Sequence, residues 1–159
     1  MKGFLKLVVL LVLLLLAGGA GFIMAKLGVG SRVETVNLPE VERRFAERMQ
    51  NVSMIGSFTV AGRENQTPRE DHYDIASVDK VGDDQWRFNA TIGETGVTLP
   101  IVVTMKFVGD TPMITITDVS IPPMGTFTAR VFFYGDLYAG TWEHAGRGGG
   151  HMFGRIVKK

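Results

Sequence analysis

Hydrophobic and polar residues follow three successive rules along this chain. From Leu7 to Ala25, "LVVLLVLLLLAGGAGFIMA", no charged residue interrupts an apolar run. Further on, Leu38, Val41, Phe45, Met49 and Val52 recur at helical spacing, with Glu42, Arg43, Glu47 and Arg48 on the opposite face. That pattern predicts an amphipathic helix docked on its own domain. Asn37 as N-cap, Pro39 in the first turn and Glu40 three residues after the cap place the helix over residues 37–51. Beyond residue 52 the period becomes two and stays so to the end of the chain.

The period-two region divides at polar and glycine-rich turns into about eight short strands. They are centred on "MIGSFTVAG", "HYDIASVDKVG", "QWRFNATIG", "VTLPIVVTMKFVG", "MITITDVSI", "TFTARVFFYG", "LYAGTWEH" and "MFGRIVKK". In the third, Trp86, Phe88, Ala90 and Ile92 share one face. In the fourth, Val97, Leu99, Ile101, Val103, Met105 and Phe107 alternate strictly, and Pro100 marks an edge or a bulge. Nearly every connection is short, so neighbours are antiparallel, and eight up-and-down strands close most naturally into a barrel. The fold class is therefore all-β, an antiparallel meander or barrel preceded by one amphipathic helix and an N-terminal transmembrane segment. Residues 1–26 form the anchor, 27–36 a linker and 37–159 the barrel domain with its N-terminal helix. An outer-membrane barrel is excluded, because the strands lack aromatic girdles.

As a helix, the nineteen residues Leu7–Ala25 would span about 28 Å, close to the hydrocarbon thickness of a bilayer. Lys2 and Lys6 precede the run, which keeps the N-terminus cytoplasmic and exports the rest, although Lys26 and Arg32 weaken the bias. The expected placement is a single-pass cell-membrane protein with its C-terminal domain in the periplasm or outside the cell. A cleaved signal peptide is the alternative: Leu7–Leu16 has the right length and "AGGAG" follows, without a clean A-x-A site. The chain has no cysteine, which excludes a disulfide or a lipidated cysteine.

Charge narrows the partners. Lys and Arg total 17 against 16 Asp and Glu, and no basic stripe suits a nucleic acid. Residues 62–118 hold ten acidic and five basic side chains, residues 119–159 two acidic and five basic, which reads as two solvated faces of different charge.

Candidate chemistry gathers at four places. Four of the five residues from Gly146 to Gly150 are glycine, but the stretch lacks the Lys-Ser/Thr of a P-loop and the strand-to-helix context of nucleotide motifs. It reads as a wide, flexible turn between strands. His144 and His151 flank it, and if the two rings met across the hairpin mouth, Glu143 would complete a zinc-type ligand set. "REDHYD" clusters Glu70, Asp71, His72 and Asp74, which could pair a base with its orienter or form a solvated loop. Trp86, Phe88, Met105, Phe127 and Phe133 either line a ligand cavity or fill a core, and Arg130 joins them only if it points inward, against strict alternation. No cofactor motif and no nucleophile signature is present.

Two resemblances add to this reading. "IGSFTV", Ile55 to Val60, following a short helix, resembles the first strand of the lipocalin/calycin superfamily, with Phe58 where those proteins carry Trp. The resemblance implies a small apolar ligand, and it implies that Arg155 in "FGRI" packs over Phe58. Separately, "DTPMITITDVSIPPMGTFTARVFFYGDLYAGTWEHAGRGGGHMFGRI" is similar to an uncharacterised exported β-rich family of planctomycete-like bacteria, which implies location and no activity. The expected function is a membrane-anchored, non-catalytic binding module for a small apolar ligand. The alternatives are a structural or assembly protein contacting an envelope partner and a metal-assisted hydrolase at Glu143, His144 and His151.

Overall fold

The computed structural model describes residues 38–159 except 64, 93–97 and 123. The apolar run 7–25, the linker and Asn37 lie outside the described residues, and among those described no helix is long and apolar enough to cross a membrane.

Among the described residues, one helix, α1 (Glu40–Arg48), precedes eight strands: β1 (Val52–Phe58), β2 (Arg69–Lys80), β3 (Gln85–Ile92), β4 (Thr98–Val108), β5 (Thr111–Ile121), β6 (Gly125–Tyr134), β7 (Leu137–His144) and β8 (Gly148–Lys158). Each strand pairs antiparallel with the next, and β1 pairs with β8 from Val52↔Lys158 to Phe58↔Met152, so the meander closes into a barrel. No sheet edge remains exposed where the ladders are complete.

α1 is shorter than the amphipathic pattern predicts. Pro39 stands at its N-cap without a capping side chain, and the Glu40 carboxylate turns to Arg43 and Arg44 instead of to the backbone. Its apolar face is nonetheless used as expected. Phe45 and Met49 are buried, and Phe45 meets Trp86, Phe107 and Phe133 with ring centroids 5.4–6.0 Å apart. The helix thus plugs one end of the barrel. Lys80, an interior position of β2, reaches Glu42 on the helix at 2.7 Å, which ties plug to wall.

The register fixes which residues face inward. Met54 pairs with Tyr73 and Ile156, Phe88 with Ile101 and Val78, Val131 with Ile114 and Gly140. Interior positions therefore include the whole Trp86–Phe88–Ala90–Ile92 face, as the alternation predicts. Two bulges break the period, between Ile75 and Ser77 in β2 and between Ile116 and Val119 in β5. At the second, Arg130 Nη1 donates to the Ile116 carbonyl and Nη2 to Thr117 Oγ1 at 3.0 Å. Arg130 is exposed and pins this bulge from outside.

The glycine-rich stretch is not a wide turn. The turn is only Ala145–Arg147, and Gly148–Gly150 belong to β8. A Cβ on Gly150 would collide with the Thr59 carbonyl. Its absence lets the chain after β1 continue the pairing, through Thr59 N to His151 O and Ala61 N to Gly149 O, both 2.8 Å. The glycines thus serve close strand approach where the barrel bends.

Because Phe45 joins three aromatic rings at the plug, Phe45→Ala is expected to destabilise the protein by about 3–5 kcal/mol, read from the denaturant midpoint.

Candidate functional site

Above the plug the barrel is hollow. A cavity of about 470 Å³ runs from the level of Phe133 and Val103 toward the end opposite α1. The hollow follows from side-chain size. At the plug the interior carries Trp86, Phe107 and Phe133; higher up, Gly56, Ala90, Ala129 and Gly140 face inward. Eight strands leave an interior that large side chains fill and small ones do not.

The wall is mostly aliphatic and aromatic. Ile75, Ile101, Ile114, Ile116, Ile121 and Val131 line it together with Phe58, Phe88, Phe127 and Phe133. Trp142 stands edge-on to Phe58 at 5.6 Å between centroids. Of the aromatic and methionine candidates from sequence, Phe88, Phe127 and Phe133 reach the cavity. Trp86 and Met105 do not, since both are fully buried in the packed end. Arg130, on the outer face, is no ligand contact.

The barrel is weakest along one seam. The β4–β5 ladder covers only Met105↔Ile114 to Val108↔Thr111. Beyond it, residues 98–104 pair with β3 alone and residues 115–121 are paired only with β6. Pro100 sits in that one-sided part of β4, where its missing N–H deprives no β5 partner. Ile101, Ile116 and Ile121 lie on either side of the seam and line the cavity.

Alternation splits the "REDHYD" cluster. His72 and Asp74 face outward, where His72 Nε2 and Asp74 Oδ1 stand 3.1 Å apart and Ser53 and Lys159 also bond Asp74 at 2.6 and 2.9 Å. These donors, Ser53 foremost and then Lys159, hold the Asp74 carboxyl down at about 2. Asp71 and Tyr73 face inward and line the cavity. Burial pushes the Asp71 carboxyl up, with the Tyr73 hydroxyl opposing the shift. Burial, and secondarily the Asp71 charge, raises both Tyr73 and Tyr138. Tyr138 is 1% exposed and lies across Gly56 and Gly154; a Cβ on Gly56 would stand 2.7 Å from its hydroxyl. Asp71 Oδ2, Tyr138 Oη and Trp142 Nε1 are buried with no hydrogen-bond partner among the described residues. Strict period two, counted back from Ile75, places Asp71 and Tyr73 inside, so the segment is neither wholly a solvated loop nor a cluster on one face.

The histidines do not meet. Register pairs His144 with Gly148 and His151 with Thr141, so His144 lies on the inner face of the hairpin and His151 and Glu143 on the outer one. His144 instead spans two turns at the barrel mouth, with Nδ1 and Nε2 each 2.9 Å from a carbonyl, those of Ala145 and Met124, and its ring edge-on to Phe127 at 4.7 Å. Neutral imidazole donates to one carbonyl only; the imidazolium donates to both. His151 is exposed beside Thr59. The zinc-type set expected from Glu143, His144 and His151 is thus not assembled, because side chains of opposite parity leave opposite faces of a strand pair. Among the described residues no three His, Cys, Asp or Glu side chains could hold a shared metal.

Arg155 likewise misses Phe58. It pairs with Ile55 and Leu137 on the exposed outer face, while Phe58 pairs with Met152 and faces the cavity. The chain matches no family model, no curated protein and no solved structure.

Two carboxylates should give opposite pH signatures. A raised carboxyl pKa favours folding when protonated, so the stability linked to Asp71 is full below 3.8 and is lost as pH rises through its folded value. Asp71→Asn is therefore expected to raise the denaturation midpoint at neutral pH, with the gain vanishing in acid. Asp74 is lowered, so its contribution is present above 3.8 and lost as pH falls toward about 2. Asp74→Asn should flatten the acid limb of the stability profile. Midpoints measured from pH 2 to 8 check both.

Proposed function

We propose that the chain is a non-catalytic binding module that carries a small apolar ligand inside its barrel. The observation that carries this reading is the cavity. Its volume of about 470 Å³ falls within the range of small-molecule sites, roughly 300–1,000 Å³, and its wall is apolar with a few polar groups. Such a wall suits holding a ligand rather than transforming it.

The calycin-like character of the barrel belongs to this proposal. A short helix leading into an eight-stranded up-and-down barrel supports it, whereas Phe58 and Arg155, on opposite faces, lend nothing. Placement at a bacterial cell membrane, with the barrel outside the cytoplasm, is supported by the apolar run Leu7–Ala25 and by Lys2 and Lys6 ahead of it. Cleavage after that run would instead release the barrel as a secreted protein.

A second reading has an observation of its own. Phe132, Tyr134, Leu137, Phe153 and Ile55 are 44–70% exposed on the outer wall. The ladders set Tyr134 beside Leu137, Phe132 and Phe153 on either side of Ala139, and Leu137 and Ile55 on either side of the Arg155 stem. Contiguous exposed apolar surface marks interaction sites, which favours an assembly protein docking an envelope protein through this wall.

Organic extraction and mass spectrometry of the full-length protein, purified in an amphipol, should recover an apolar molecule in near-stoichiometric amount. Ala129→Trp, which fills the cavity from β6, should reduce that amount at least tenfold while the far-ultraviolet circular dichroism stays that of a β-barrel. An empty barrel that takes up no added apolar probe would sink the carrier reading and leave the outer wall as the working surface.

A further inference from the structure

The carrier reading leaves open what kind of apolar molecule fits, and the wall of the cavity bears on that. Three facts converge. Asp71 is the carboxylate at an inward-facing strand position, level with Gly56 and Gly154 and between the inward positions of Met54 and Phe58 on β1, while its neighbours Glu70 and His72, of outward parity, also border the cavity. Its Oδ2 has no hydrogen-bond partner among the described residues. And among the described residues no lysine or arginine lines the cavity, the nearest interior lysine, Lys80, being taken by Glu42 at the plugged end.

A carboxylate on an apolar wall is costly unless something donates to it. Among the described residues, the donor that acts on it is the Tyr73 hydroxyl. His72, the next residue, carries its ring outward to Asp74 and offers only a distant charge. Tyr138 Oη lies buried near the same level, over Gly56, without a hydrogen-bond partner among the described residues. An anionic head group here would meet a second negative charge and no cation. A head group that donates a hydrogen bond would satisfy the free oxygen, and a cationic one would also neutralise it.

Resting on the carrier reading, we infer that the ligand is an apolar molecule with one hydrogen-bond-donating head group, an amine above all, seated on Asp71, and that the cavity discriminates against fatty-acid-type carboxylates. Asp71 is then the specificity-determining residue of the site. The orientation follows: the donor end lies at the β1–β2 side of the wall, and the hydrocarbon end lies against Ile101, Ile114 and Ile116.

Three probes with one tail and different heads separate the possibilities: hexylamine, 1-hexanol and hexanoate. Each is titrated calorimetrically into the full-length protein in amphipol, against a protein-free amphipol blank. Hexylamine is expected to bind at least about tenfold tighter than hexanoate, about 1.4 kcal/mol, with hexanol between them. In Asp71→Asn the amine preference should collapse to within about twofold while hexanol still binds. That variant removes a buried charge and keeps the shape, so loss of preference is not loss of fold; its thermal midpoint serves as the control. If all three probes bind alike, or hexanoate binds best, the head-group inference is overturned and the carrier reading stands. An amine preference that persists in Asp71→Asn overturns it as well, assigning the preference to surface charge. If no probe binds and none is extracted, the carrier reading itself has failed.

Discussion

Closure between β1 and β8 is the constraint on which everything else depends. The ladder from Val52↔Lys158 to Phe58↔Met152 joins the ends of the meander. Once it forms, every residue of every strand is committed to an inside or an outside. A closed eight-stranded wall has an interior of nearly fixed width, so its contents are decided by side-chain size alone. Large rings and the Phe45 plug fill one end. Glycine and alanine leave the other hollow. Closure therefore accounts both for a core dense enough to fold and for a cavity within the same fold.

The glycines of β1, β7 and β8 do two jobs within that constraint. Gly150 permits close backbone approach, so pairing of the chain after β1 with β8 extends beyond the ladder. Gly56 and Gly154 leave a flat floor on which Tyr138 lies, a large buried side chain that would otherwise project across the interior. A segment that suggests a nucleotide loop by composition is thus a device of barrel geometry. Its chemistry is that of an absent Cβ.

Polar groups sort by the same parity. In β2 the outward Asp74 finds Ser53, His72 and Lys159 and is held strongly acidic. Asp71, three residues earlier and facing inward, finds one phenol and an apolar wall, and burial moves it the other way. Arg130 and Arg155, read as candidates for the interior or for packing on Phe58, are outward for the same reason. Arg130 gains a role there, since the bulge at Ile116–Val119 frees acceptors that a guanidinium can take.

The sequence by itself determined the helix, the eight strands and the inward faces of β3, β4 and β6. Periodicity is a local property, and Trp86, Phe88, Ala90 and Ile92 display it without reference to any other strand. It could not say that Gly148–Gly150 are strand, because glycine carries no side chain to mark a period. Nor could it choose between core and cavity for Trp86, Met105, Phe88, Phe127 and Phe133. That choice depends on what stands opposite each residue across the barrel, which only register and closure decide. The same holds for His144 and His151, whose separation in sequence suggested a pair and whose opposite parity on β7 and β8 parted them. For Asp71 the parity was legible, but the lack of a partner was a property of the assembled wall. A hydrogen bond needs two groups in one place, and only the tertiary structure sets the place.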